Sequence, residues 1–221
     1  QKSKEKVIQN AILQPKTIAL IGASNDPKKV SGRPLAYLKA NNALAHIFPV
    51  NPNRAQVQGS KSYSSIKAIE ERIEHAYILL KNDEALAAVS ECAEAGVLVV
   101  TLLADGFSEA GPIGMARQKQ LQNIVRNTGI RVIGPSSMGV VNLYNGFVCT
   151  TNAAFSSKKL KPGRYGVLSQ SGSIIGTLLS RGHAKGVYFS FFVSLGSEAD
   201  LSLGELGSIL VDQEQTDAFI L

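Results

Sequence analysis

The sequence lacks tryptophan, has only two cysteines and three histidines, and contains no apolar run of the roughly 18 residues that a membrane-spanning helix needs. Cys92 lies in a helical pattern and Cys149 in a strand-like one, and two cysteines are too few for a disulfide framework or a zinc site. No signal-peptide pattern is recognisable. We therefore expect a cytoplasmic protein in a reducing compartment, with no metal site and no membrane partner.

Aromatic residues are scarce and positive charge is dispersed. Aromatic side chains make up 6% of the chain, and the net charge of +6 comes from basic residues scattered along it. Nucleic-acid-binding proteins concentrate basic residues into patches or stripes. The charge therefore favours a small polyphosphate ligand over nucleic acid, and with 44% apolar residues the chain can bury a substantial core.

What is present is a regular alternation of apolar strand-like runs and helical patterns, which is typical of a parallel sheet covered on both faces. In the first part of the chain the pattern predicts strands over 18–22, 46–50, 76–80, 97–103 and 130–133. It predicts helices over 34–41, 64–70, 82–95 and 114–127, with Gly96 as the stop signal of the third. We expect a doubly wound, Rossmann-like α/β unit.

A polar passage at 150–162, rich in serine and lysine, predicts the crossing to a second α/β unit. We place the domains at residues 1–150 and 151–221. The second unit is expected to have strands over 165–169, 187–193 and 218–221 and helices over 173–184 and 203–211. Because its third strand stops with the chain, we expect these residues to be a piece of a longer protein.

The most informative segment runs from the first strand into a small-residue loop and a basic turn. Gly22 allows close approach of the backbone to a ligand, while the small side chains of Ala23 and Ser24 leave the entrance of the loop open. The helix from about Pro34 is expected to point unpaired N–H groups at the same space, and basic residues at 28, 29 and 33 add charge. The next glycine is Gly32, so this is not the dinucleotide G-x-G-x-x-G. An ordinary strand-to-helix turn is the alternative.

The loop after the second predicted strand carries no acidic residue for a ribose. An NAD site wants Asp or Glu there, whereas this chain has Asn51 followed by the cationic Arg54. A ligand with a phosphate on its ribose, such as coenzyme A, fits better. The Asn-Pro-Asn sequence also suits a simple turn, and this alternative stays open.

Two further loops follow predicted strands, where open α/β sheets bind ligands. Gly134–Gly139 combines glycines and hydroxyls, although an ordinary turn is the simpler interpretation. Leu168–Ser173 superficially resembles a nucleophile elbow but lacks the required flanking glycines. Residues 170–173 instead predict a helix N-terminus rich in hydroxyls and N–H donors, which suits a phosphoryl group.

The three histidines give no catalytic signal. His183 is expected near the C-terminal end of the helix over 173–184, too far from the start of that helix to reach it. His46 and His75 stand at the starts of predicted strands. For all three we expect a solvent-exposed or helix-capping role.

Six short motifs occur in the order seen in NDP-forming acyl-CoA synthetases, and the chain resembles that family from about Ala11 onward. The family includes ADP-forming acetyl-CoA synthetases and the succinyl-CoA synthetase α subunit. Its CoA-binding half also occurs in bacterial protein lysine acetyltransferases. The resemblance implies a Rossmann-like CoA-binding domain followed by part of a flavodoxin-like domain. The motifs are Pro15–Ser24, Val50–Asn53, Ala95–Val97 with Gly106–Gly111, Gly134–Gly139, Ser169–Ser173 and Ser194–Asp200.

The resemblance also implies roles for individual residues. The CoA phosphates would be held by Gly22, Ala23, Ser24, Lys29, Ser31 and Arg33, and the adenosine end by Pro52, Asn53 and Arg54. The same cleft would be flanked by Leu80, Lys81 and Asp105. The helix N-terminus that faces a phosphorylated histidine corresponds to Ser171, Gly172 and Ser173. That histidine, and the ATP-grasp domain or subunit that binds ATP or GTP with Mg²⁺, are expected beyond Leu221.

One departure from the family pattern concerns the reacting end of CoA. The family usually has Asn and Cys near the reacting end of CoA, where this chain has Ser136 and Ser137, and the resemblance implies that these two serines still line the CoA site. Either the thioester end is positioned differently or the full-length protein is specialised or impaired, while CoA binding is expected to be retained. Two functions follow from the resemblance. The chain is either the CoA-binding part of an acid–thiol ligase that uses a carboxylic acid, CoA and ATP, or a CoA- or acyl-CoA-binding regulatory module of an acetyltransferase. The acid, the nucleotide and homo-oligomerisation are left open.

Overall fold

Two five-stranded sheets, a short hairpin and six α-helices make up the computed structural model, which describes residues 2–156 and 160–221. The helices are α1 (Lys2–Leu13), α2 (Arg33–Ala40), α3 (Asn82–Glu94), α4 (Gly111–Thr128), α5 (Gly172–Ala184) and α6 (Leu203–Leu210). The strands are β1 (Thr17–Ile21), β2 (His46–Val50), β3 (Gln56–Val57), β4 (Ser60–Lys61), β5 (His75–Ile78), β6 (Val99–Leu102), β7 (Arg131–Ile133), β8 (Gly139–Asn142), β9 (Phe147–Thr150), β10 (Pro162–Ser169), β11 (Phe189–Ser194) and β12 (Ala218–Ile220).

The first sheet is entirely parallel and has the order β2-β1-β5-β6-β7. Every residue of β1 is buried, which explains why its sequence is a continuous apolar run rather than an alternating one. The chain moves from β1 to β2 on one side and then returns to β5 on the other, so the crevice beside β1 is the switch point where open sheets bind ligands. The predicted α/β fold class is confirmed.

The second sheet is mixed and has the order β12-β10-β11-β8-β9. β10 is parallel to β11 and to β12, whereas β8 is antiparallel to β11 and to β9. The sequence did not predict the hairpin β8–β9, although Asn145-Gly146 between two apolar runs is a hairpin signal. By strand pairing, residues 139–150 therefore belong with the second sheet. The division at residue 150 stays a prediction, and 157–159 of the predicted crossing lie outside the described residues.

Helix α1 was not predicted, and it packs between the two sheets. Ile12 and Leu13 share one buried apolar cluster with Leu20 of the first sheet and Phe191 of the second. Leu13 also accepts, on its carbonyl oxygen, a hydrogen bond from the side chain of Asn142 at 2.9 Å. The helix therefore joins both sheets into one core.

Most other predicted elements lie within a few residues of their expected bounds. The predicted helix over 64–70 is a single 3-10 turn, Ile66–Ala68, and α4 begins at Gly111, three residues earlier than expected. Cys92 in α3 and Cys149 in β9 are free and buried, and burial raises the pKa of both thiols. No helix of the described residues has the length and apolarity to cross a membrane.

Candidate functional site

The loops that carry the predicted site residues lie along one edge of the first sheet. Because its five strands are parallel, their carboxyl ends meet there in the order β2-β1-β5-β6-β7. The loops follow the strands in that same order, namely Asn51–Arg54, Gly22–Gly32, Leu79–Lys81, Leu103–Asp105 and Gly134–Ser137. The structure thus brings the sequence-predicted residues of the first unit to a single edge.

At the start of the β1–α2 loop, Gly22 has no room for a side chain. Its φ is +86°, and a Cβ built there would lie 2.7 Å from Cδ2 of Leu80. Ala23 is fully buried, so neither its side chain nor its backbone is exposed at this edge. Its carbonyl accepts a bond from Nδ2 of Asn51 at 3.1 Å, which ties this loop to the end of β2.

The far end of this loop closes on itself more tightly than the sequence suggested. A Cβ on Gly32 would lie 1.9 Å from the carbonyl oxygen of Asp26. The N–H groups of Gly32 and Arg33 both donate to the carbonyl of Lys29, at 2.9 and 3.1 Å, and Pro34 has no N–H. A 3-10 turn over Val30–Gly32 runs directly into α2, and it satisfies donors that were expected to face a ligand.

Gln58 is a structural residue of this loop that the sequence did not reveal. It lies in the β3–β4 turn, and its Nε2 donates to the carbonyls of Ser24 and Gly32, both at 2.9 Å. Its own N–H donates to Oδ1 of Asn25 at 2.7 Å. A polar residue in a hairpin gives no sequence signal of such a distant contact, since the folding of the hairpin against the loop decides it.

The cationic residues of this edge point to solvent, with the exception of Arg33. Lys28, Lys29, Arg54 and Lys81 are all exposed. Ser24 and Ser31 are half-buried beside them, and Ser24 N–H donates to Ser31 O at 3.2 Å. The loop Pro52–Arg54 is exposed and shaped by Asn51, whose Oδ1 accepts from the N–H of Asn53 at 3.0 Å. Asn51 therefore forms the turn that was the alternative interpretation, and at the same time anchors the β1–α2 loop.

Farther along the edge, the loop after β6 is held rigidly. Asp105 is exposed, and the next residue, Gly106, donates its N–H to Oε1 of Glu109 at 2.6 Å. Burial raises the pKa of Glu109, but bonds from backbone N–H groups outweigh burial and hold that pKa below its usual range. Arg117 bonds the Gly106 carbonyl at 2.9 Å and pairs with Asp83.

The two serines that replace the usual Asn and Cys have different environments. Ser136 is half-buried with φ +59°, and its N–H donates to Ala104 O at 2.9 Å. Ser137 is completely buried, and its hydroxyl donates to the carbonyl of Ser194. Its own carbonyl accepts from the hydroxyl of Tyr77 at 3.0 Å. The side chain of Ser137 therefore joins the two units and does not line an open surface.

The second candidate is the turn from β10 into α5. β10 lies between β12 and β11, so this turn too follows a switch point. Ser171 is the N-cap residue, but its hydroxyl makes no capping bond and instead lies 3.0 Å from that of Ser173. A Cβ on Gly172 would lie 2.3 Å from Cγ of Met138, so the turn touches the loop after β7. The two candidate regions are therefore connected.

None of the three histidines lies at this turn. His183 is in the last turn of α5, as expected, and burial and the charge of Lys161 lower its pKa. His46 is exposed, as expected, and pairs with Glu71. The expectation for His75 was wrong, because its ring is 1% exposed in the core.

His75 is buried because both of its ring nitrogens find partners. Nδ1 bonds the carbonyl of Ala11 at 2.8 Å, and since a carbonyl only accepts, Nδ1 carries the proton. The hydroxyl of Thr101 lies 2.8 Å from Nε2 and donates to it. Burial lowers the pKa of His75 to about 4. The imidazole is a structural link between α1, β5 and β6.

Comparison with protein families matches two consecutive models. Residues 16–142 match the CoA binding domain, and residues 162–221 match the succinyl-CoA ligase like flavodoxin domain. Both matches agree with the resemblance drawn from the sequence motifs, which is thereby confirmed.

Among curated proteins, the α subunit of acetate–CoA ligase [ADP-forming] II from Pyrococcus furiosus is 34% identical over 207 residues, covering 94% of this chain and 44% of the relative. The 4-hydroxybutyrate–CoA ligase [ADP-forming] of Nitrosopumilus maritimus is 31% identical, covering 95% and 30%. A structure of dinucleotide forming acetyl-coenzyme A synthetase 1 from Ca. Korarchaeum cryptofilum, in complex with phosphate and ADP, has a TM-score of 0.87 at 25% identity, covering 96% and 44%. The chain thus spans less than half the length of each.

Proposed function

The chain belongs to the CoA binding domain family, and we propose that it binds coenzyme A along the carboxyl edge of its first sheet as part of an NDP-forming acyl-CoA synthetase. The observation that carries this proposal is the set of exposed cations around the β1 switch point. Lys28 and Lys29 stand on the β1–α2 loop, Arg54 on the loop after β2, and Lys81 after β5. Such a set fits a ligand with several phosphates.

The hydrogen-bond donors of these loops suit different parts of the ligand. Lys29, with the hydroxyls of Ser24 and Ser31, suits the diphosphate of CoA. Arg54, beyond the Asn51 turn, suits the phosphate on the ribose, since a guanidinium binds phosphate through paired N–H groups. Because position 51 is Asn rather than Asp or Glu, the loop offers no carboxylate for the free ribose hydroxyls of NAD.

In the whole enzyme, a carboxylic acid, CoA and ATP would give acyl-CoA, ADP and phosphate, with a phosphorylated histidine as the carrier. The N-terminus of α5 suits a phosphoryl group, because the Ser171 side chain leaves the backbone N–H groups of the first turn uncapped. The three histidines of this chain lie elsewhere, so we place the carrier histidine outside these 221 residues. ATP or GTP and Mg²⁺ would bind an ATP-grasp domain or subunit.

The proposed residues of this chain bind and orient and do not transfer the acyl group themselves. Gly172 and the two serines beside it would hold the phosphoryl group close to the backbone, while the cationic edge holds CoA. Positioning both partners lowers the entropic cost of their meeting. The ligase role is preferred to that of a regulatory module because the matched relatives are named as ligases. Their acids differ, so the acid is left open.

Isothermal titration calorimetry tests the CoA site directly. We expect CoA to bind more tightly than dephospho-CoA, and NAD to bind weakly, because the ribose phosphate is recognised. Lys29→Met should weaken CoA binding about fivefold, the scale of one solvent-exposed ionic contact of about 1 kcal/mol. Lys6→Met, an exposed lysine on α1, is the matched control and should have no effect. Equal affinities for CoA and NAD would refute the proposal.

A further inference from the structure

Arg33 stands at the end of the β1–α2 loop, yet its guanidinium is directed to the second sheet. Its Nη1 donates to the carbonyl of Thr151 at 2.9 Å, and the residue is half-buried. Thr151 follows β9 and is completely buried. A carbonyl therefore occupies a donor of the arginine that the sequence assigned to a CoA phosphate.

The segment Thr150–Asn152, which we call the tether, continues from this contact to the start of α5. The hydroxyl of Thr150 and the N–H of Thr151 both donate to the carbonyl of Met138, at 2.6 and 3.1 Å. Nδ2 of Asn152 donates to the carbonyl of Gly172 at 2.8 Å. All three residues of the tether are buried, with Asn152 the most exposed at 7%. Water thus competes little for these bonds.

The first turn of α5 rests directly on this network. A Cβ on Gly172 would lie 2.3 Å from Cγ of Met138, and one on Gly176 would lie 2.5 Å from Oδ1 of Asn152. Gly176 therefore allows close approach of the helix to the tether, and Gly172 allows its close approach to Met138. Arg33 and Asn152 stand at the two ends of the polar contacts that run from α2 to the α5 turn, alongside a buried apolar cluster that contains Tyr37 of α2 and Ile175 of α5.

We propose that Arg33 and Asn152 are positioning residues that fix, through the tether, the separation between the β1–α2 loop and the N-terminal turn of α5. A single CoA molecule with its nucleotide end at the loop then contacts the turn with its pantetheine arm. This inference rests on the proposed CoA site. A fixed separation raises the effective concentration of the arm at the turn, so loosening the tether weakens only the contribution of the arm.

Adenosine 3′,5′-bisphosphate carries part of the nucleotide end of CoA without the pantetheine arm, and calorimetry with both ligands separates the two contributions. We expect the wild-type chain to bind CoA more tightly than the bisphosphate. In Asn152→Ala, CoA affinity should fall about fivefold to tenfold while bisphosphate affinity stays within about twofold, the scale of one lost positioning bond. Arg33→Lys keeps the charge but loses the fork geometry, and should likewise weaken CoA more than the bisphosphate.

Asn145→Ala is the matched control, since Nδ2 of Asn145 donates to Leu13 O at 3.0 Å, away from α5. It should leave the ratio of the two affinities unchanged. Equal losses for both ligands in Asn152→Ala or in Arg33→Lys would overturn the proposal, and in Arg33→Lys they would identify Arg33 as a phosphate ligand. Arg33→Lys decides the question if Asn152→Ala does not fold. Equal affinity of the wild type for both ligands would also overturn it, whereas failure of both to bind would refute the CoA site itself.

Discussion

The β1–α2 loop and the β10–α5 turn occupy equivalent positions in their sheets but differ in length, charge and packing. Each follows a strand that lies between the next two parallel strands of its unit. The first is long and carries exposed lysines, and Gln58 of the β3–β4 hairpin holds it by two hydrogen bonds. The second is short and uncharged, and it is pressed against Met138 and Asn152.

In the proposed function, the two regions bind phosphate in two different ways. A charged, exposed loop attracts an anion from a distance and is sensitive to salt. An uncharged turn at a helix start acts only at contact, through N–H groups and the helix dipole. The first mode suits a ligand that arrives from solution, and the second suits a phosphoryl group that is delivered to one fixed place.

The largest expected effect is the loss of stability in acid, which should originate in the first unit. A buried histidine links α1 to the first sheet, whereas no strand of the second sheet contains a histidine. The pKa of His75 is lowered to about 4, so the neutral ring contributes stability above the unfolded pKa of about 6.5. That stability is lost as the pH falls toward 4. We expect the free energy of unfolding to fall by about 3 kcal/mol more than in His75→Gln between pH 7 and 4.

Denaturant titrations at several pH values measure this difference, and His46→Gln is the control, because His46 is exposed. Only the wild type and the control should show the extra loss. A pH profile of His75→Gln that matches the wild type would mean that carboxylates alone account for acid lability.

Alanine substitution of one glycine in each region, Gly32 and Gly172, compares the β1–α2 loop with the β10–α5 turn directly. In Gly32→Ala the new methyl meets the carbonyl of Asp26, a backbone atom, whereas in Gly172→Ala it meets the side chain of Met138. A backbone cannot give way locally, so Gly32→Ala should cost about 1–3 kcal/mol of stability and most of the CoA affinity. Gly172→Ala should cost less, since the thioether is flexible.

Rescue distinguishes the two cases. Met138→Ala should recover part of the stability lost in Gly172→Ala, which a double-mutant cycle measures as favourable coupling. Asp26→Ala should recover nothing in Gly32→Ala, because the obstructing carbonyl remains. Absence of coupling between positions 138 and 172 would argue against the close packing of the α5 turn on the loop after β7.

Local patterns predicted the elements of both units but not what joins them. The apolar run of β1, the stop at Gly96 and the serines before α5 are local signals, and the corresponding elements form. The bonds of Gln58 to the first loop, of His75 to α1, and of Arg33 to the tether connect residues far apart in the chain. Such contacts depend on how the sheets pack, and a side chain of ordinary type carries no local sign of them.

Recognition of the ribose phosphate tests whether exposed cations of the first unit bind the ligand. Arg54→Met should weaken CoA binding about fivefold, the scale of one exposed charge-assisted contact, and leave dephospho-CoA unaffected. Arg72→Met is a control, because Arg72 is exposed just before β5, at the opposite edge of the sheet. Calorimetry at low and at high salt should show the difference shrinking with ionic strength. Equal effects on both ligands would place the ribose phosphate elsewhere.

The smallest expected effect concerns Ser136, which lies in the loop after β7 and adopts φ +59°. Serine is strained in this left-handed conformation, which asparagine tolerates better. Ser136→Asn should therefore stabilise the fold by about 0.5–1 kcal/mol, a part of the roughly 1–2 kcal/mol that the left-handed conformation costs most residues. Ser108→Asn provides the control, because Ser108 lies in a 3-10 turn, where φ is negative. Thermal unfolding measures both, and the CoA affinity of Ser136→Asn shows whether the residue also touches the ligand. Stabilisation with unchanged affinity assigns Ser136 to the fold, whereas a change in affinity of CoA but not of adenosine 3′,5′-bisphosphate places it beside the pantetheine arm, between the charged loop and the α5 turn.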